Sequence, residues 1–139
     1  MALLDNNFNG LQHIGVPVTD VERSEKYYAK LGFEKILSED FDHPAGTGHC
    51  IMMRRAGVVM ELYRMPEAEL EEIRSRKNGH IDHIAFNVTD IDKAYAELKS
   101  AGIEIDEDEP QFIDFLENGC KYFNTIGPDG ERLEYLQIL

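Results

Sequence analysis

Basic residues are scarce in this chain: 14 lysines and arginines stand against 27 aspartates and glutamates, a formal charge of −13 over 139 residues. A surface of that sign repels a phosphate backbone at long range, so nucleic acid is not an expected partner. Cysteines number two, Cys50 and Cys120. That excludes a disulfide framework and fits the reduced thiols of the cytoplasm, although a single bridge between the two is left open. Prolines number five, and no tract is compositionally biased. With 42% hydrophobic and 29% charged residues the chain has the makings of a globular core rather than a disordered segment. The opening MALLDNNFNG lacks a positive n-region and its apolar run stops at Leu4, so no signal peptide is expected. No apolar run reaches membrane-spanning length, and no membrane partner is expected. The G-x-S-x-G elbow, the phosphate-binding P-loop, the CxxC pair and the dinucleotide fingerprint are all missing, and their chemistries lose support with them.

What the chain does have is a repeat. HIGVPVTD begins at His13 and HIAFNVTD at His83. Sliding the sequence against itself by 70 residues aligns 13–57 with 83–127 without a gap, and ten of the 45 pairs are identical, the histidines among them. Such self-similarity marks a duplicated unit. In each copy the first strand alternates: Ile14, Val16 and Val18 point one way and His13, Gly15 and Pro17 the other, as do Ile84, Phe86 and Val88 against His83, Ala85 and Asn87. Thr19-Asp20 and Thr89-Asp90 supply helix N-caps, and Gly32 and Gly102 supply left-handed C-terminal caps. Val21, Tyr28 and Leu31 anchor the first helix; Ile91, Ala94, Tyr95, Leu98 and Ala101 form the stripe of the second. Strands are expected at 33–41, 49–56 and 57–64, and again at 103–113, 120–126 and 131–138, the last behind the turn Pro128-Asp129-Gly130.

The expected fold is therefore α+β, two βαβββ modules. Residues 1–10 read as an N-terminal arm, 11–65 and 80–139 as the modules, and 66–79 as a connecting helix that starts at Pro66 and gathers Arg74, Arg76 and Lys77 near its end.

The final strand of each module carries a carboxylate among apolar neighbours: Glu61 in VVMELYRM and Glu134 in ERLEYLQIL. A carboxylate in such a place is costly unless paired, protonated or bound to a metal. Two imidazoles and two carboxylates with open positions suit a divalent ion such as Ni, Co, Zn, Mn or Fe, which nominates His13, Glu61, His83 and Glu134 as ligands. His43 and His49 flank HPAGTGH, which reads as a loop between strands, with His49 able to reach the mouth of the site. Arg54, Arg55, Arg64 and Lys121 lie on strands that can reach it, though only some by parity. Tyr63, Asn87, Met53 and Phe123 are candidate pocket liners, with ordinary packing the alternative for each.

HIGVPVTDVERSEKYYAKLGFE, the echoing HIDHIAFNVTDIDKAYAELKSAGIEI and the ending IGPDGERLEYLQIL resemble the vicinal oxygen chelate superfamily, also called the glyoxalase, bleomycin-resistance and dioxygenase superfamily. The resemblance runs from about Leu11 to the end of the sequence. It implies paired modules whose curved sheets form a cup around a divalent metal, with ligands at His13, Glu61, His83 and Glu134, a small-molecule substrate and a homodimer. Full His, Glu, His, Glu is the glyoxalase I pattern, whereas methylmalonyl-CoA epimerases usually carry glutamine at the position of Glu61. The implied activity is that of a lyase or isomerase which removes a proton next to a carbonyl while a metal steadies the developing enediolate. Glu134 is the first choice of base and Glu61 the second. An epimerase acting by the same proton abstraction is the enzymatic alternative, and a non-catalytic binding or resistance protein the alternative from another class. Bacterial-type glyoxalase I enzymes carry arginine where this chain has Pro17, which argues against glutathione as cosubstrate.

Overall fold

A computed structural model describes residues 2–30, 32–76, 79–126 and 132–139. Leu31, Lys77 and the turn Pro128-Asp129-Gly130 lie outside the described residues. The fold is α+β, and each half of the chain runs β-α-β-β-β. The first half holds β1 (Phe8–Pro17), α1 (Val21–Lys30), β2 (Glu34–His43), β3 (Gly46–Arg55) and β4 (Val58–Arg64). The second holds β5 (His83–Val88), α3 (Ile91–Ser100), β6 (Gln111–Ile113), β7 (Cys120–Ile126) and β8 (Arg132–Ile138), with α2 (Leu70–Ser75) between the halves. Two compact units emerge, one of residues 13–82 and one of residues 1–12 with 83–139.

In the unit of residues 13–82 the strand order is β2-β3-β4-β1, with β1 parallel to β4 and the other pairs antiparallel. Its core joins Val16, Val18, Ile51, Met53 and Leu62 beneath α1, whose half-buried Val21 and Tyr28 pack onto it with Phe33. Asp20, rather than Thr19, caps α1: its Oδ1 accepts the Arg23 amide at 3.0 Å, while the Thr19 hydroxyl is engaged by the Arg23 guanidinium. Gly32 ends the helix at φ 83°, as a left-handed position favours. The Gly32 and Phe33 amides then close back on Ala29 and Tyr28, and the Phe33 ring meets the Tyr28 ring edge-on at 5.6 Å. The loop expected around HPAGTGH shrinks to a turn of two residues. His43 pairs directly with Gly46, whose φ of 134° closes the hairpin over Pro44-Ala45, and His49 falls inside β3.

In the other unit the order is β5-β8-β7-β6. Val88, Ile91, Ala94, Leu98 and Phe123 form its core with Leu4 from the arm. Ala101, expected on the helix stripe, is the exposed C-cap instead. Phe123 stacks on Tyr135 at 5.2 Å and meets Tyr95 edge-on. Asp90 caps α3 through the Lys93 amide, and the Gly102 and Ile103 amides close its end on Lys99 and Leu98. The strand expected over 103–113 is reduced to Gln111–Ile113 and a lone bridge between Ile105 and Thr125. Pro110 has no N–H to give the ladder, and a Glu107 carboxylate oxygen, not a carbonyl, accepts the Asn124 amide.

The arm is bound side chain by side chain. Asn7, buried, donates from Nδ2 to the Asp90 carbonyl at 2.8 Å and accepts the Asp90 amide on Oδ1 at 2.7 Å. The Thr89 amide reaches the Asn7 carbonyl, and the Leu4 amide reaches Glu97 Oε1. The connecting helix begins as a single 3-10 turn, Glu67–Glu69, behind Pro66 and continues as α2, with Leu70 and Ile73 buried; Arg76 lies just past its end. Cys50 and Cys120 are both buried and carry no disulfide. Among the described residues no helix is long and apolar enough to cross a membrane.

Candidate functional site

Strand register builds the same pair twice. Along β1 and β4, Gly15 stands opposite Glu61, and strand parity returns the His13 side chain to the face of Gly15. Met60 and Leu62, on either side of Glu61, turn to the opposite face and into the α1 core. His13 Nε2 lies 3.4 Å from Glu61 Oε2, with the histidine side chain 0% exposed and the glutamate 15%. Along β5 and β8, Ala85 stands opposite Glu134, and His83 is again two residues before the small residue. His83 Nε2 lies 3.5 Å from Glu134 Oε2, with exposures of 7% and 11%. A glycine in one copy and an alanine in the other leave no bulky side chain between histidine and carboxylate.

The donor sets fit a divalent cation. Two ligands each about 2.0–2.2 Å from one ion, at angles between a right angle and the tetrahedral one, stand about 2.8–3.6 Å apart, and both pairs fall inside that window. Imidazole nitrogen with carboxylate oxygen is a donor combination that zinc, nickel, cobalt, manganese and iron accept.

The other residues singled out in the sequence divide by face. Arg54, exposed, shares the Glu61 face by register, as does half-buried Tyr63; Asn87 shares the His83 face. Arg55 lies on the helix side, its guanidinium against Gly32. Arg64 donates to the Thr19 carbonyl and to Glu67, and Lys121 pairs with Asp92 of α3, so neither serves the face of a carboxylate ligand. His49 bonds to Asp40 at 2.6 Å and Ser38 at 3.1 Å on the face opposite Glu61, so it does not reach the site. Met53 and Phe123 belong to the two cores. Their parity with Ile51 and Tyr135 commits them to the helix side.

Sequence reading missed Asn124 and Glu107. Asn124 on β7 is the cross-strand partner of Glu134, and Glu107 reaches it from the loop after α3. An asparagine directly after Tyr122-Phe123, inside an expected strand, was the available signal.

Comparison with known proteins agrees with this architecture. Residues 10–135 match the family model described as the Glyoxalase/Bleomycin resistance protein/Dioxygenase superfamily. The Bacillus subtilis (strain 168) protein YwkD is 31% identical over 125 residues, covering 89% of this chain and 93% of its own. Among solved structures, the hypothetical protein BH1468 from Bacillus halodurans C-125 superposes with a TM-score of 0.73 at 23% identity, over 93% of this chain and 94% of that one. Methylmalonyl-CoA epimerase from Mycobacterium tuberculosis superposes with a TM-score of 0.73 at 20% identity, over 95% of this chain and 89% of that one. From the family match and these likenesses, the chain belongs to the glyoxalase/bleomycin resistance protein/dioxygenase superfamily.

Proposed function

We propose that this protein is a metal-dependent isomerase or lyase of the glyoxalase I kind, acting on a small carbonyl compound by moving a proton between adjacent carbons. One observation carries the reading: the His–Glu pair occurs twice, at 3.4 and 3.5 Å, in the same strand register and on the face turned from the core. In this reading His13, Glu61, His83 and Glu134 are the ligands of a divalent ion, Ni, Co, Zn, Mn or Fe, and the working form is a homodimer. The modules 11–65 and 80–139, with the arm 1–10 and the connector 66–79, make one functional domain. A divalent ion bound there supplies Lewis acidity, which makes a proton beside a carbonyl removable at neutral pH.

The chain's own groups do the rest. Glu134 takes the proton from the carbon and returns it to its neighbour, and Glu61 is second in line for the same task. His13 and His83, buried beside them, keep each carboxylate from standing alone in a poorly solvated place. Burial of the pairs also limits water, which would otherwise compete for the abstracted proton.

Metal analysis of the purified protein and of Glu61→Gln is the first test. A divalent ion near one per proposed site in the wild type, weakened in the variant, is expected; no ion in either sinks the reading. The second test follows isomerisation of methylglyoxal hemithioacetals made with several thiols, in deuterated water. A second reading, an epimerase of a carbonyl-activated acid or thioester, is favoured by the likeness in fold to methylmalonyl-CoA epimerase. Deuterium entering an added thioester substrate without isomerisation of any hemithioacetal would select it.

A further inference from the structure

The two His–Glu pairs are copies, but the strands beside them differ. Across β3 and β4 the partner of Glu61 is Met52; across β7 and β8 the partner of Glu134 is Asn124. Cross-strand partners put their side chains on one face, so Glu61 has a buried thioether for a neighbour and Glu134 an amide. Asn124 is only 6% exposed. Glu107 fixes which way its amide faces: Oε2 accepts the Asn124 backbone amide at 2.7 Å, and Oε1 accepts Nδ2 at 2.6 Å. An ionised carboxylate has no proton to give, so the nitrogen must face Glu107 and Oδ1 must face away. The Tyr95 hydroxyl, at 2.9 Å from the Glu107 carbonyl and 2.5 Å from that of Asp108, holds the loop in place. Oδ1 itself is buried and takes no hydrogen bond from any described residue. A buried acceptor without a donor is costly and rare, and here it sits on the face of the first-choice base.

We propose that Asn124 Oδ1 is a specificity-determining acceptor: it takes a hydrogen bond from a hydroxyl on the reacting carbon of a ligand seated against Glu134, with Glu107 as the positioning residue that keeps the amide turned. This rests on the metal-dependent reading above and adds to it. Selection is for an O–H beside the carbonyl, and it is exerted in the Glu134 half, because Met52 offers no such acceptor beside Glu61.

The test compares two probes, lactate and 2-methoxypropionate, by calorimetry on the full-length protein loaded with its divalent ion. They differ in the donor and share the carboxylate and the carbon skeleton. The ratio of their affinities in wild type, divided by the ratio in Asn124→Leu, removes differences in how each probe meets the ion. That quotient should be at least about fivefold, the worth of one neutral hydrogen bond whose loss strands a buried acceptor. Glu107→Gln, which lets the amide turn its nitrogen outward, should lower the ratio in the same direction with ion content unchanged, and it serves as the readout where Asn124→Leu does not fold. A merely structural role, or a bound water as the natural donor, weakens both probes alike and leaves the ratio unchanged; that result overturns the inference. Absence of any bound ion in the wild type overturns the metal-dependent reading and this inference with it, whereas bound ion with an unchanged ratio overturns this inference alone.

Discussion

Replacing Asn7 with alanine removes two hydrogen bonds that tie the arm to the start of α3, at 2.8 and 2.7 Å from the Asp90 carbonyl and amide. Each is worth about 1 kcal/mol net, and the Asp90 amide, left in a partly buried place without its acceptor, adds roughly another 1 kcal/mol. The backbone bond from Thr89 to the Asn7 carbonyl, 3.0 Å, needs no side chain and survives, which bounds the loss. The expected destabilisation is about 2–3 kcal/mol. In urea, at a slope of about 2 kcal/mol/M for a chain of this size, the midpoint should fall by about 1–1.5 M with the slope unchanged. Asn7→Asp keeps the oxygen that accepts the Asp90 amide but sets its second, buried carboxylate oxygen against the Asp90 carbonyl, so it should cost at least as much. Circular dichroism at both variants' transitions reads this directly. A midpoint shift in Asn7→Ala below about 0.3 M would show that Asn7 does not anchor the arm.

Two further outcomes follow from the pairs and from two half-buried phenols. Stripping metal with a chelator should lower the melting temperature by about 8 °C, since an ion present at a hundredfold its dissociation constant contributes about 2.7 kcal/mol; restoring the ion should restore the melting temperature, and Glu134→Gln should show little shift. Alkaline pH should destabilise the protein through Tyr28 and Tyr135. Burial raises the Tyr28 hydroxyl, with the neighbouring Tyr27 adding to it, and burial raises Tyr135 against a lowering hydrogen bond from Thr125. Groups raised on folding lend stability that is complete below the unfolded value, near pH 10, and is lost as pH climbs through the folded values. Urea midpoints measured from pH 9 upward should therefore fall less steeply in Tyr28→Phe/Tyr135→Phe, and equal slopes would contradict it.

The repeat made much of this structure readable in advance, because strand parity is a local property. His13 and Ile14 had to face opposite ways, and so did Glu61 and Leu62; the observed cores contain the apolar member of each pair. The glycines at 32 and 102 marked helix ends for the same reason, a left-handed conformation that glycine adopts at least cost. What the sequence hid depends on partners far along the chain. Nothing in DNNFNG foretells that Asn7 completes a cap at Asp90, 83 residues on. Glu107 lies in an acidic stretch expected to be strand, yet it falls in a loop and its carboxylate holds Asn124. His49 looked like a loop residue because HPAGTGH is rich in turn formers, but the hairpin turn between β2 and β3 is only two residues long, and turn length is set by register rather than by composition.

The arm has a consequence for how the protein comes to exist. Leu4 lies in a core whose other members run from Val88 to Phe123, and its amide is held by a side chain 93 positions later. During synthesis the arm emerges long before anything it can rest on, and its apolar residues wait while residues 13–82 gain the strands and helix they need from within their own span. Closing so long a loop is entropically expensive early and rewarded only late, so docking of the arm should be among the last events of folding. A tag or fusion placed before Leu4 would act on that final step more than on any earlier one.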